Sequence, residues 1–376
     1  MKGAYQIMDL RERRRERERR RRRRRRIAFL IFVLVIALIT TLCLTMCDGG
    51  NEPAQAPVPT PEVTMSPEPT PTPSVIPTNP SEALTQMTLD EKLMQLFAVD
   101  IDTLTGVENT TLHGNTSQNA ISKNSVGAIV YDIGNLENKN QAASMLNSLQ
   151  AQYKEENGFK ALLAIAEEGG ENSPAASVGI GNNIGDLYAF AENDNFEGAY
   201  NAGLEMGKAL SGAGFNMNLA PDCGVEAGED AESVSSIAIS FADGLRDGGV
   251  RAAYKSFPGT AAATALELSE TALLPFKTAI SAGAEIMTVR KTASRSSEMV
   301  TTVLRTELDF DGIIMTEAIT AGMCVEAIAA GCDLLYVPTE YEDAMDKLRT
   351  AIATGALTED RINESVLRIL TYKYGI

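Results

Sequence analysis

Carboxylates and cations recur directly behind short apolar runs along most of this chain. Asp100 and Asp102, Tyr131 and Asp132, Glu167 and Glu168, Asp222, Lys255, Arg290 and Lys291, Glu317 and Glu340 all hold such positions. A carboxylate can act as nucleophile or as general acid or base, and it can accept a ligand's donors; a lysine can hold negative charge. Two segments concentrate these groups. Gly312–Thr316 follows the Asp311-Gly312 turn and ends at Glu317, while Val250–Tyr254 leads into Lys255-Ser256-Phe257-Pro258-Gly259. Taken alone, the pattern gives a polar, mostly acidic rim and no particular reaction.

Other residue types narrow the chemistry. His113 is the only histidine, and Cys223, Cys324 and Cys332 stand at no metal-ligand spacing. No metal and no cofactor is therefore expected, and the three thiols read as small buried residues. Gly179–Gly185 has the wrong glycine spacing for a phosphate loop, and no strand precedes it.

The elements that must carry the rim are legible as an alternation. Eight apolar runs are predicted as strands: 96–100, 126–131, 161–165, 215–219, 250–254, 285–289, 312–316 and 333–337. Amphipathic stretches such as 138–156, 197–213, 232–248 and 296–308 separate them, and 340–354 and 359–374 close the chain. Strands repeating with helical crossovers give a parallel sheet covered by helices. Eight units in roughly 300 residues predict an α/β fold of the (β/α)8 TIM-barrel type over 81–376, with an open doubly wound sheet as the alternative. In a barrel, ligands and reactions belong at the carboxyl ends of the strands, where this rim falls.

Several ordered segments resemble the N-terminal barrel of glycoside hydrolase family 3, of the β-N-acetylhexosaminidase type. They include Met87-Thr88-Leu89-Asp90-Glu91-Lys92, Val126-Gly127-Ala128-Ile129-Val130, Ala166-Glu167-Glu168-Gly169-Gly170 and Gly214-Phe215-Asn216-Met217-Asn218-Leu219-Ala220-Pro221. Leu273-Leu274-Pro275-Phe276 and Ala330-Gly331-Cys332-Asp333 continue the likeness. The resemblance implies Glu317 at the nucleophile position, where the family has Asp. It also implies a substrate-binding set of Lys255, Ser256, Glu168 and Asp222.

The departures fall at the reacting positions. Ser256 and Thr260 stand for the two histidines of the family's Lys-His-Phe-Pro-Gly-His motif, and Ala166 stands for a sugar-binding Asp. Glu226–Asp230 replaces an Arg-containing element, and no histidine occurs between Thr260 and Thr271, where the family carries its acid/base. Retaining hydrolysis needs a nucleophile on one face of the sugar and a proton donor on the other. Glu267 or Glu270 would have to replace the missing donor, and on the relic reading Glu317 is expected to pair with Lys255. The extra methylene of Glu317 sets its carboxylate about 1 Å further out, and such misplacement can cost about a hundredfold. The resemblance thus implies a barrel, catalytically impaired or inactive, that binds a cell-wall glycan, a muropeptide-like sugar or an envelope protein. One alternative is an active β-N-acetylhexosaminidase with Glu317 as nucleophile; another is an envelope scaffold.

The first eighty residues set the expected location. Residues 1–26 carry 14 basic and 4 acidic side chains, and the remainder carries 19 and 46. The Arg-rich tail abuts 27–47, an uncharged apolar stretch long enough to cross a bilayer. Basic residues on one flank, with Asp48 and Glu52 on the other, predict a single-pass anchor with the amino terminus cytoplasmic and the barrel extracellular. That context speaks against nucleic acid as the partner of the Arg run. Cys47 follows a poor lipobox, with lipidation as a lesser alternative. Residues 48–80 hold ten of the fifteen prolines and read as an extended linker.

Overall fold

Eight short parallel strands curl into a nearly closed barrel in the computed structural model, which describes residues 76–376 apart from 226–229 and 260–267. They are β1 (Phe97–Asp100), β2 (Ala128–Tyr131), β3 (Leu162–Ile165), β4 (Met217–Asn218), β5 (Arg251–Phe257), β6 (Ile286–Val289), β7 (Ile313–Thr316) and β8 (Leu335–Tyr336). Each strand pairs with the next from β1 to β7, and β8 pairs with β1. A Met315–Leu334 bridge, with the Thr316 N–H donating to the Leu334 carbonyl at 2.9 Å, joins β7 to the β8 segment. This order and closure are those of the predicted barrel and not of an open doubly wound sheet. All eight predicted runs contain a strand.

Helices form where caps and apolar stripes permit them. Thr88 and Glu91 exchange hydrogen bonds as a capping box before the helix Leu89–Gln95. Asn138 caps Lys139–Asn157, and Gly158, at φ 82°, ends it in the left-handed region that suits glycine. Phe196–Ala213 and Ala231–Asp247 pack unusually closely. A Cβ on Gly203 would stand 2.1 Å from the Phe241 carbonyl oxygen, and one on Gly244 would stand 2.1 Å from that of Tyr200. The predicted helix 296–308 is observed over Glu298–Glu307 with the wider π winding.

The two-residue strand β4 holds its place through side chains. Asn216 accepts from the Leu163 N–H at 2.8 Å and donates to the Ala161 carbonyl at 2.8 Å. Asn218 accepts from the Glu167 N–H at 2.9 Å and donates to the Glu167 carbonyl at 2.8 Å. These amides replace the missing ladder bonds, so buried backbone groups stay paired.

Two buried ionisable side chains sit toward the amino-terminal end of the strands. Lys373 is 1 % exposed and donates to Gln95 Oε1 at 2.7 Å and the Tyr153 hydroxyl at 3.1 Å, below the start of β1 and β2. Asp333 is 0 % exposed just before β8. It accepts from Arg305, from Arg368 at 3.2 Å, from the Ser365 hydroxyl at 2.6 Å and from the Ile314 N–H at 3.0 Å.

Near the amino-terminal boundary of the described region, Asn79 caps the helix Pro80–Gln86, and the Tyr374 hydroxyl donates to the Pro77 carbonyl at 3.0 Å. Among the described residues, no helix is long and apolar enough to cross a membrane. The expected tail at 1–26, the anchor at 27–47 and the linker through 75 lie outside the described residues.

Candidate active site

A cavity of about 320 Å³ opens at the carboxyl ends of the strands. Asp100 and Asp102 reach it from the end of β1, Tyr131 and Asp132 from β2, Lys255 and Ser256 from β5, Thr288 from β6, Glu317 from β7 and Tyr336 from β8. The volume falls near the lower end of the ~300–1,000 Å³ typical of small-ligand sites.

The end of β5 differs from the sequence reading, which stopped that strand at Tyr254. The strand continues to Phe257, with a register shift against β6 between Tyr254 and Phe257. Neighbouring residues of a regular strand point to opposite faces. The irregularity breaks that alternation and lets the consecutive Lys255 and Ser256 both line the cavity.

Glu317 is half-buried, and its Oε2 accepts the Lys291 N–H at 2.9 Å. The expected pairing with Lys255 is not formed. Lys255 Nζ instead donates to Glu168 Oε1 at 2.5 Å, although β3, behind which Glu168 stands, and β7 are both two strands from β5 in the sheet order. Glu168 also accepts from the Asn172 side chain. Glu168 and Asp222 line a neighbouring depression, together with Arg290 and Tyr188, and not the central cavity. Three of the five predicted site residues thus converge, and the other two flank them.

Acid–base candidates separate by environment. His113 lies outside the cavity, with Nε2 2.7 Å from Gln152 Oε1 and Nδ1 3.2 Å from the Ser117 hydroxyl. Burial pushes its imidazole below the ordinary value. Glu270 is exposed and pairs with Lys277 at 3.1 Å, so it does not line the cavity, while Glu267 lies outside the described residues. Asp100 accepts from the Tyr336 hydroxyl at 2.8 Å, and burial holds its carboxyl above the usual range despite that bond. Glu167 is buried and likewise raised by burial; its Oε2 accepts the Ala175 N–H at 2.7 Å. Among the described residues no three ligating side chains gather closely enough to hold a metal ion.

Tyr336, Asn135 and Thr288 were not singled out by sequence reasoning. Thr288 left a signal, a hydroxyl inside the apolar run 285–289. Tyr336 left none, since an aromatic is ordinary in a strand.

The model of the glycosyl hydrolase family 3 N terminal domain matches residues 88–372. The chain belongs to this family. Beta-hexosaminidase A of Pseudoalteromonas piscicida is 25 % identical over 336 residues, covering 70 % of this chain and 56 % of that protein. Among solved structures, a family 3 beta-N-acetylglucosaminidase from a Paenibacillus species is 26 % identical with a TM-score of 0.64, covering 77 % of this chain and 63 % of that one. The beta-N-acetylhexosaminidase of Beutenbergia cavernae has the same fold at a TM-score of 0.64 and 24 % identity, covering 77 % of this chain and 99 % of that chain. The chain therefore spans only a little over half of the Pseudoalteromonas relative and nearly all of the Beutenbergia barrel. Within this family 3 barrel, Ala166 lines the cavity where the family's sugar-binding Asp is expected, and Ser256 is buried where a histidine is expected.

Proposed function

We propose that this chain is a membrane-anchored, extracellular family 3 barrel that holds a cell-wall glycan and does not cleave it. The carrying observation is that Glu317 faces a cavity lined by no imidazole, while the chain's single histidine is engaged elsewhere by Gln152 and Ser117. General acid–base catalysis contributes about 10²–10⁴-fold, and a nucleophile displaced by a methylene costs about a hundredfold more. The retained cavity, with hydroxyls and carboxylates around it, supports ligand binding without chemistry.

A second reading is a working glycosidase with Glu317 as nucleophile. The Lys291 N–H that fixes Glu317 Oε2 favours it, as do relatives described as beta-hexosaminidases. The two readings separate in a nitrophenol-release assay on nitrophenyl N-acetyl-β-glucosaminide with the full chain and Glu317→Ala. The expected outcome is release at the uncatalysed rate with both proteins. Turnover that disappears in the variant would overturn the non-cleaving reading and establish the second.

A further inference from the structure

We infer that the central cavity takes a hexosamine bearing a free, protonated amine in preference to its N-acetylated counterpart, an inference that rests on reading the cavity as a sugar site. Four carboxylates line it, Asp100, Asp102, Asp132 and Glu317, against one cation, Lys255. Lys255 is already engaged at 2.5 Å by Glu168, which lines the neighbouring depression. Asp102 is committed to the fold, with its oxygens accepting from the Asn109 N–H at 2.6 Å, the Thr110 N–H at 2.8 Å and the Asn135 amide at 2.8 Å. The other three each have one oxygen engaged, by the Tyr336 hydroxyl, the Gly134 N–H and the Lys291 N–H respectively. Their second oxygens have no partner among the described residues. Three acceptors with uncompensated negative charge therefore face one small space.

An independent observation points to a ligand with polar groups on both sides. The Tyr131 hydroxyl and Thr288 Oγ1 are buried without a hydrogen-bond partner, on residues 2 % and 6 % exposed, and both residues line this cavity. Leaving such a group unsatisfied costs about 1–3 kcal/mol. The two come from β2 and β6, which stand across the barrel from each other. Both hydroxyls have almost no accessible area, so each must rotate toward the cavity before a polyhydroxylated ring pairs with it. Among the described residues no three carboxylates gather closely enough to hold a metal ion, so the charge suits a ligand whose donors are spread out. A protonated amine on that ring adds a charge-assisted bond to a carboxylate. Acetylation removes the charge and leaves one neutral N–H.

Calorimetric titration of the full chain in detergent, with the trimers of β-linked glucosamine and N-acetylglucosamine and with glucosamine itself, tests this. The glucosamine trimer should bind about tenfold tighter than its acetylated form, the size of one charge-assisted hydrogen bond. The preference should shrink with added salt. It should also fall toward unity in Asp132→Asn or Glu317→Gln, which remove charge and keep shape. A trimer that outbinds the monosaccharide places the ligand at a glycan chain, and equal affinities place it with free amino sugar. Equal or tighter binding of the acetylated trimer would overturn the preference and leave the sugar site standing. Binding of neither trimer would overturn both. If a variant does not fold, the wild-type ratio and its salt dependence decide alone.

Discussion

At the scale of single residues, the charges with the largest consequences lie at opposite ends of the barrel. Glu317, Asp100 and Asp132 face the cavity, whereas Asp333 and Lys373 are sealed beneath it. Asp333 is surrounded by Arg305, Arg361 and Arg368. Removing one partner of a buried ionic group leaves the others uncompensated, so Asp333→Ala should lose about 3–5 kcal/mol in a urea unfolding experiment. Lys373 faces no carboxylate among the described residues, and burial holds its ammonium well below the ordinary lysine range. For a base with a depressed folded pKa, the unfolded chain binds more protons between the folded value and about 10.5, so stability rises with pH in that window. Lys373→Met lacks this slope. Wild type should gain stability relative to the variant between about pH 7 and about pH 10, measured by unfolding at both ends. A constant difference would mean that Lys373 stays charged inside.

At the scale of elements, close approach and irregularity do what composition alone does not suggest. The helices Phe196–Ala213 and Ala231–Asp247 meet through Gly203 and Gly244, whose absent side chains admit the facing backbone. Gly203→Ala would place its Cβ against the Phe241 carbonyl and force the helices apart. Overpacking of this kind costs about 1–3 kcal/mol, so the thermal midpoint should fall by several degrees in a melt followed by circular dichroism. A neutral result would mean that the pair can slide without loss. The paired asparagines of β4 are the complementary device, with Asn216 and Asn218 supplying ladder bonds to a strand of two residues. At the end of β5, the register shift brings Lys255 and Ser256 to one side, a placement that no period-two reading of the sequence contains.

At the scale of the whole molecule, the proposed anchor and the barrel are separate matters. If 27–47 is the membrane span, deleting residues 1–47 should move the protein from the membrane pellet to the supernatant on fractionation, with the cavity's ligand binding intact. Retention in the pellet would place the membrane contact elsewhere. Much of the barrel was legible in the sequence, because apolar runs such as 126–131 and 161–165 must be buried and their spacing leaves room for a helix between them. The replaced family residues, Ala166, Ser256 and Glu317, were legible for the same reason: they are identities at fixed places in ordered motifs. The sequence could not decide pairings across the ring. Lys255 is close in number to neither Glu168 nor Glu317, β3 and β7 are each two strands from β5, and only the packing of the side chains puts it beside the first. Nor could it show that Tyr131 and Thr288, which line one cavity, carry buried hydroxyls without partners, since burial and partnering depend on what eight separate strands bring together. Local identity and periodicity belong to the chain, whereas solvent exclusion and the pairing of charges arise only when distant segments share a space.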